Sequence, residues 1–381
     1  MIEKWSKDIF WKIKNYGLQV CRDVRLFPKR LLCRGGAGTM EQYFRVKYRY
    51  EAYGDGHLDK TAGIYKKEQK DGRDVIRKYG QLVTTASWTA EKQKEKEMLE
   101  EAIIHDKKRF SKEYEKETAY IRNRGELMLY PYPFTEKYLK KQDSIRVYTW
   151  KKGRSRLKYV KHFGKKLFFP EQPDEDIRYQ YTQLVMEQDP LSPHVYFHEN
   201  FMLEDGDIFV DVGSAEGMIS LDAAEKASEV YLIERSESWN LALKATFQKY
   251  HDKIHIIRAY AGLNNVSPEV TLDKVLTGYT GKRIFIKMDI EGMELQALHG
   301  CLKTMKRNDC FFACASYHTN TMKDELMTFF KRNGYETEAG KGYMLFMHGH
   351  MTLENGMYER MKYPYFRTGI VRAFKAKGKQ G

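Results

Sequence analysis

The second half of this 381-residue chain carries several clusters of acidic residues and glycines that follow apolar segments. In the first cluster, Asp211 precedes Gly213, Ser214 and Gly217 at the junction of an apolar segment and a helical pattern. Glycines at such a turn let the backbone bend tightly and approach a ligand without side-chain obstruction. The cluster therefore predicts a ligand-binding loop, with an ordinary strand-to-helix turn as the alternative.

The spacing of the glycines indicates which ligand this loop would hold. A dinucleotide fingerprint needs glycines at positions 213, 215 and 218, whereas this chain has Gly213, Ala215 and Met218. A dinucleotide with a pyrophosphate is therefore the poorer fit. An acidic residue before a Gly-x-x-x-Gly turn instead suits a ligand with a charged amino-acid end and no phosphate, such as S-adenosylmethionine.

A second acidic residue, Glu234, ends the next apolar segment, 23 residues after Asp211. A carboxylate at the tip of a strand can accept hydrogen bonds from the two hydroxyls of a ribose, as it does in nucleotide-binding folds. The alternative is a solvated glutamate that opens a helix. Together with the glycine loop, Glu234 indicates a ligand that contains a ribose.

The third cluster combines one cation, Lys287, with the carboxylates of Asp289, Glu291 and Glu294. Strand alternation places Lys287 and Asp289 on one face, with Glu291 beyond the end of the strand. Three acids so close together are costly unless some are paired, hydrogen-bonded or functional. The cluster therefore predicts part of a substrate pocket. The alternative is structural, with Glu294 capping the following helix and Lys287 pairing with Asp289.

Short apolar segments and helical patterns alternate from residue 207 onward, which predicts a parallel sheet with helices on both faces. Such folds bind ligands at the carboxyl ends of their strands, where the three clusters lie. The predicted strands are 208–212, 230–233, 254–259, 284–288 and 311–316, and the predicted helices are 218–227, 239–250, 293–306 and 322–332.

The net charge of +14 is unevenly distributed, since residues 1–200 alone carry +13. Near the N-terminus, Trp5, Ile9 and Ile13 share one helical face among lysines, which suits either an interfacial helix on anionic lipid or a helix packed on its own domain. The positive charge of residues 1–200 is also typical of proteins that bind a nucleic acid. We find no RNA-binding signature to accompany it, and solvated lysine-rich helices account for most of the charge.

Composition excludes several classes of protein. No stretch approaches the roughly 18 consecutive apolar residues of a membrane-spanning helix, and the N-terminal residues lack the apolar core of a signal peptide. Five cysteines without a Cys-x-x-Cys pair favour a reduced compartment and disfavour a zinc site. We therefore expect a cytoplasmic protein, with a peripheral position at the inner face of the membrane as an option.

The clusters at 211–217, Glu234 and Lys287-x-Asp289-x-Glu291-Gly292-x-Glu294, with Thr271-Leu272-Asp273, resemble the FkbM family of S-adenosylmethionine-dependent methyltransferases. The segments Ser316-Tyr317-His318 and 192–196 are also similar to members of that family. The resemblance covers residues 180–348. It divides the chain into a basic, helix-rich N-terminal region of unknown role (1–170), an FkbM-like domain (180–348) and a basic C-terminal extension (349–381).

The resemblance implies an α/β, Rossmann-like class I methyltransferase fold, with a seven-stranded, mostly parallel sheet whose last strand is antiparallel. Carried over to this chain, it places Asp211, Gly213, Ser214 and Gly217 at the methionine end of S-adenosyl-L-methionine, and Glu234 at its ribose.

Methyl transfer to an alcohol requires in-line positioning and a general base near the acceptor hydroxyl. The candidates are Asp289, Glu291 and His318. His318 has the ordinary pKa best suited to neutral pH, although a structural histidine is the equal alternative. Asp289 and Glu291 are also able to bind a divalent cation, but no residue is assigned as a metal ligand.

The family is associated with methylation of hydroxyls on sugars and natural products. We therefore expect an O-methyltransferase that acts on a carbohydrate or lipid-linked glycan during synthesis of a cell-surface polysaccharide or glycolipid. The alternatives are an RNA methyltransferase and a non-catalytic binding protein with a methyltransferase fold. The intact Asp211, Gly213, Gly217 and Glu234 argue against the latter.

Overall fold

The computed structural model describes residues 65–70, 73–78, 81–84, 96–105, 112–152, 155–199, 201–346, 351–354, 357–360 and 365–375. The N-terminal helix expected around Trp5, Ile9 and Ile13 lies outside these residues. The chain divides into two compact units, one of residues 1–109 and 346–365 and one of residues 110–345 and 366–381.

In the first unit, three antiparallel strands form a meander: β1 (Tyr65–Lys70), β2 (Arg73–Lys78) and β3 (Gln81–Thr84). A π-helical turn follows at Glu101–His105. The strands Met351–Glu354 and Met357–Arg360, numbered β16 and β17 in chain order, pair as a hairpin.

The second unit begins with helices α1 (Glu115–Arg124) and α2 (Glu136–Leu139), and with short 3₁₀ turns. A second antiparallel meander follows, made of β4 (Tyr148–Lys152), β5 (Ser155–His162) and β6 (Lys165–Phe169). Helix α3 (Asp174–Glu187) then leads to the central sheet. The 3₁₀ turns are Lys112–Tyr114, Pro133–Thr135 and Gln142–Ser144.

The central sheet has seven strands, in the order β14-β19-β13-β12-β7-β8-β9. All are parallel except β19, which pairs antiparallel with both β13 and β14. The expected class I methyltransferase fold, with one antiparallel strand, is therefore confirmed. The seven strands are β7 (Ile208–Val212), β8 (Glu229–Ile233), β9 (Ile254–Ile257), β12 (Arg283–Met288), β13 (Asp309–Ala315), β14 (Tyr335–Ala339) and β19 (Ile370–Lys375).

Helices pack on both faces of this sheet and bury apolar side chains in two clusters. Both clusters draw on the central strand β7, all five residues of which are buried. The helices are α4 (Met218–Ala223), α5 (Glu237–Thr246), α6 (Leu272–Val275), α7 (Glu294–His299), α8 (Leu302–Arg307) and α9 (Met322–Arg332). Three short strand pairings complete the unit: β10 (Tyr260–Ala261) with β11 (Glu269–Val270), β15 (Met344–Leu345) with β18 (Phe366–Arg367), and the bridge His198–Phe201.

All five predicted strands from residue 207 onward are present, and the predicted helix 293–306 is divided into α7 and α8 at Gly300 and Cys301. Three features differ from the sequence analysis. The region before residue 170 contains two antiparallel meanders as well as helices. The expected linker at 170–176 passes directly into α3, and the sheet takes β19 from the segment assigned to a C-terminal extension.

The meander β4–β6 escaped prediction because lysines and arginines interrupt the apolar residues along its strands, so that no regular alternation is visible. Its inward side chains Val160, Leu167 and Phe169 are fully buried in the core. Within the residues that the structure describes, we find no helix with the length and apolar character needed to cross a membrane.

Candidate functional site

The glycine loop begins where β7 ends and closes against the loop after β12. Gly213 (φ 78°) and Gly217 (φ 74°) adopt left-handed backbone conformations, which L side chains rarely adopt. A Cβ atom on Gly213 would lie 2.0 Å from the carbonyl oxygen of Asp289. Glycine at position 213 therefore allows the two loops to approach each other directly at the carboxyl edge of the sheet.

A buried ion pair between Lys287 and Asp211 holds the backbone of the glycine loop in place. The Nζ of Lys287 lies 2.9 Å from Oδ1 of Asp211 and donates a hydrogen bond of 2.7 Å to the carbonyl oxygen of Gly213. The Ser220 hydroxyl donates to Oδ2 of Asp211 at 2.6 Å. Burial opposes the charge on Lys287, but the carboxylates of Asp211 and Asp289 outweigh it and raise the lysine pKa. Lys287 therefore pairs with Asp211, whereas the structural alternative had it pairing with Asp289.

Both carboxylate oxygens of Asp211 are thus engaged within the protein. Its contact with the methionine end of a cofactor stays a prediction, and the contact that the structure shows is with the lysine that holds the loop. In the loop itself, Ser214 is buried, and its hydroxyl has no hydrogen-bond partner among the described residues. An unsatisfied buried hydroxyl is unusual, and a ligand would satisfy it.

Glu234, at the tip of β8, faces the same loop. One of its carboxylate oxygens accepts from the backbone N–H of Ala215 at 3.1 Å, and the other from that of Ser236 at 2.6 Å. Burial raises the pKa of Glu234, and the two backbone donors oppose that shift. Each carboxylate oxygen has a second lone pair, so the fixed carboxylate can still accept two hydroxyl groups.

The carboxylate of Asp289 is the centre of a second cluster, just past the end of β12. The Tyr196 hydroxyl donates to its Oδ2 at 2.9 Å, and the Tyr317 hydroxyl lies 3.3 Å from both oxygens. The Nε2 of His318 lies 3.3 Å from Oδ1. Burial alone would raise the pKa of Asp289, but His318 and Lys287 hold it well below its usual range. Asp289 is therefore ionised and too weak a base to deprotonate an alcohol efficiently.

His318 is surrounded by carboxylates. Its Nδ1 lies 2.9 Å from Oε1 of Glu294, and its Nε2 lies 3.7 Å from Oε2 of Glu291. Burial opposes the charge, yet Glu294, Glu291 and Asp289 together raise the pKa of His318 well above its ordinary value. These carboxylates favour the charged imidazolium form of His318 over the neutral ring, which suits an electrostatic role better than that of a general base.

Glu294 is fully buried, and its Oε1 also accepts the backbone N–H of Ile290 at 3.0 Å. It therefore fixes the turn before α7 and orients the ring of His318 at the same time. No side-chain hydrogen bond caps α7, so the predicted capping role of Glu294 is wrong, and its carboxylate contacts Ile290 and His318 instead.

Glu291 occupies the turn between β12 and α7 with a left-handed backbone (φ 60°). Its side chain is 32% exposed, more than that of Asp289, Glu294 or His318. Partial burial and the carboxylates of Asp289 and Glu294 raise its pKa to about 8. The structure therefore brings the three predicted catalytic residues, Asp289, Glu291 and His318, into one cluster, and Glu291 is the most accessible of them.

Sequence reasoning missed several neighbours of Asp289. The ring of His194 is 1% exposed, with Nε2 3.8 Å from Oδ2 of Asp289 and no hydrogen-bond partner on either nitrogen among the described residues. Burial lowers its pKa to about 4, so it is neutral. Glu187, at the end of α3, has a pKa raised to about 8 by burial and by the nearby Asp289. His194 lies in the quoted segment 192–196, whereas no motif marks Glu187 or its neighbour Tyr130.

Residues 207–337 match the family model of the Methyltransferase FkbM domain. A search of curated proteins found no match to this chain. Among solved structures, a methyltransferase FkbM from Methylobacillus flagellatus is similar, with 19% identity, a TM-score of 0.35, and coverage of 53% of this chain and 56% of that one.

Two further solved structures are similar at the same level. A precorrin-6y C5,15-methyltransferase from Geobacter metallireducens has 13% identity and a TM-score of 0.33, covering 54% of this chain and 95% of that one. A Streptococcus mutans protein in complex with SAH has 12% identity and a TM-score of 0.30, covering 52% of this chain and 97% of that one. The family match spans β7 to β14 and includes the glycine loop, Glu234 and the Asp289 cluster. Residues 207–337 of this chain therefore form a methyltransferase domain of the FkbM family.

Proposed function

We propose that this chain is an S-adenosylmethionine-dependent O-methyltransferase that acts on a carbohydrate hydroxyl during synthesis of a cell-surface polysaccharide or glycolipid. One observation carries the cofactor assignment. The carboxylate of Glu234 is held by the N–H groups of Ala215 and Ser236 beside the glycine loop, with lone pairs left for a ribose diol.

The loop residues fit the remainder of this cofactor. Gly213 and Gly217 keep side chains out of the loop, and the unpartnered hydroxyl of Ser214 offers a hydrogen bond. Asp211 acts through Lys287, which holds the carbonyl group of Gly213. When bound, the cofactor supplies an electrophilic methyl group. The protein's contribution is to hold the acceptor oxygen in line with it.

The side chains around Asp289 favour a methyl acceptor that is uncharged and carries several hydroxyl groups. The hydroxyls of Tyr196 and Tyr317, together with the carboxylates of Asp289, Glu291 and Glu187, offer hydrogen bonds to sugar hydroxyls. The ionised carboxylate of Asp289 would repel the phosphates of an RNA strand, which such proteins attract with lysine and arginine. A carbohydrate acceptor is therefore favoured over the RNA alternative.

Transfer requires that the acceptor hydroxyl lose its proton as its oxygen bonds to the methyl carbon. We assign the proton acceptor to Glu291, because its carboxylate is the most exposed of the cluster and lies beyond the end of β12. His318 and Asp289 stabilise the charges around it. The same proposal includes a lipid-linked glycan as acceptor, a cytoplasmic location and a peripheral position at the inner face of the membrane.

Calorimetric titration with S-adenosylhomocysteine tests the cofactor assignment. We expect micromolar binding that Glu234→Ala weakens at least tenfold, or about 1.4 kcal/mol. Glu237→Ala is the matched control, since Glu237 lies three residues further on and its side chain is 72% exposed. Absence of binding by folded protein, or an equal loss in both variants, would reject the assignment.

A further inference from the structure

Three acidic side chains surround the imidazole of His318. The carboxylates of Asp289, Glu291 and Glu294 all approach the imidazole. Lys287 is paired instead with Asp211 at 2.9 Å. Buried carboxylates at such density are stable only with a compensating cation.

Three of these side chains are arranged so that they can share one ion. Asp289, Glu294 and His318 each offer a ligand atom, and the three atoms lie within 4.8 Å of one another. Ligand atoms bonded to one ion at about 2.1 Å are roughly 3 to 4 Å apart, so the group has to contract by only about 1 Å.

Two buried atoms of this group lack the partners that burial normally requires. Oε2 of the fully buried Glu294 and Nε2 of His318 have no hydrogen-bond partner among the described residues. Both are types of atom that coordinate metals, and metal binding would displace the proton that the carboxylates favour on the ring of His318. The side chain of Asp289 is 19% exposed, which leaves a route for an ion and its waters.

The ring of His318 is also held in a fixed orientation. A carboxylate that contacts one ring nitrogen of a histidine fixes the tautomer and the ring plane. Here Nδ1 of His318 lies 2.9 Å from Oε1 of Glu294, so Nε2 is directed away from that contact, 3.3 Å from Oδ1 of Asp289.

We propose that Asp289, Glu294 and His318 bind one divalent transition-metal ion, of the Mn²⁺ class, beside the acceptor site. Mixed carboxylate and imidazole ligands suit such ions better than Ca²⁺, which prefers oxygen alone. The catalytic consequence rests on the proposed function: the ion would polarise the acceptor hydroxyl while its proton passes to Glu291. The binding itself does not depend on methyl transfer.

The test is titration of the EDTA-treated, dialysed full chain with MnCl₂, followed by calorimetry and by loss of the free Mn²⁺ electron paramagnetic resonance signal. We expect one Mn²⁺ per chain, bound at least tenfold more weakly by His318→Gln and by Asp289→Asn. His251→Gln is the matched control, because His251 forms an exposed pair with Asp252 at 2.9 Å; its Mn²⁺ affinity should equal that of the wild type.

S-adenosylhomocysteine is titrated in parallel into the same metal-free samples, which reports that the site is folded in each variant. If the wild-type chain binds this ligand but no Mn²⁺, the metal site is rejected and the proposed function stands. Mn²⁺ binding that both site variants retain would also reject it. Mn²⁺ binding that the site variants weaken, without any binding of S-adenosylhomocysteine, would support the metal site and reject the proposed function.

Discussion

The buried pair of Lys287 and Asp211 gives the sharpest quantitative prediction. Both side chains are at most 8% exposed, and their charged atoms are 2.9 Å apart. Lys287→Met leaves the Asp211 carboxylate buried, with the Ser220 hydroxyl as its one hydrogen-bond donor among the described residues. Breaking a buried pair by removing one partner costs about 3–5 kcal/mol, because the other charge stays uncompensated. Asp211→Asn should cost a similar amount, because the buried ammonium group then loses the carboxylate with which it forms a direct ion pair.

The double variant, with Asp211→Asn and Lys287→Met, removes both charges together. Replacing a buried pair by uncharged groups is often close to neutral, so the double variant should be more stable than either single variant. The coupling energy of the cycle should therefore be about 3 kcal/mol or more, at the upper end of measured values.

Urea unfolding of the four proteins at pH 7 measures this cycle. The exposed pair of Arg258 and Glu237, at 3.0 Å with side chains 57% and 72% exposed, is the control. Its coupling energy should be below about 1 kcal/mol. Additive effects of Lys287→Met and Asp211→Asn would refute the reasoning, since they would mean that the two charges are solvated independently.

Two further predictions concern the glycine loop. Gly213→Ala should lower the free energy of unfolding by at least about 2 kcal/mol more than the control Gly125→Ala. Both glycines have φ near +75°, but a side chain at position 213 would collide with Asp289, whereas one at position 125 would meet open space. Equal urea midpoints for the two variants would contradict this prediction. Burial raises the pKa of Glu216 from 4.5 to about 7. The folded state is therefore most stable below pH 4.5, where the side chain is protonated in both states, and its free energy of unfolding falls by up to about 3 kcal/mol as the pH rises through 7. Glu216→Gln should therefore be more stable than wild type at pH 8 and equal to it at pH 4.5 in urea unfolding, whereas parallel pH profiles would contradict the shift.

The central sheet was predictable because strands buried on both faces appear in the sequence as continuous apolar runs, such as 208–212 and 284–288. Their carboxyl ends share one edge of the sheet, so the polar residues that follow them were expected to meet there. The cluster of Asp289, Glu291 and His318 comes from this geometry.

Contacts that depend on the register between neighbouring strands could not be predicted from the sequence. Lys287 lies directly opposite Asp211 on the neighbouring parallel strand, and this register decides that it pairs with Asp211 and leaves Asp289 to the histidines and tyrosines. The sequence order of β7 and β12 contains no such information. The proximity of Tyr130 and Glu187 to Asp289 was equally hidden, because no motif marks segments that are distant along the chain.

The position of β19 has a consequence for how the chain acquires its structure during synthesis. β19 is hydrogen-bonded between β13 and β14, although both are translated before it. At roughly 5–20 residues per second, the segment 316–369 takes about 3–10 s to synthesise. Throughout that interval the free edge of β13, which carries the buried Phe312, Ala313 and Cys314, has no strand beside it. An unpaired apolar edge is a template for pairing with other chains. The nascent protein therefore passes through a period of exposure to misassembly that ends only when β19 leaves the ribosome.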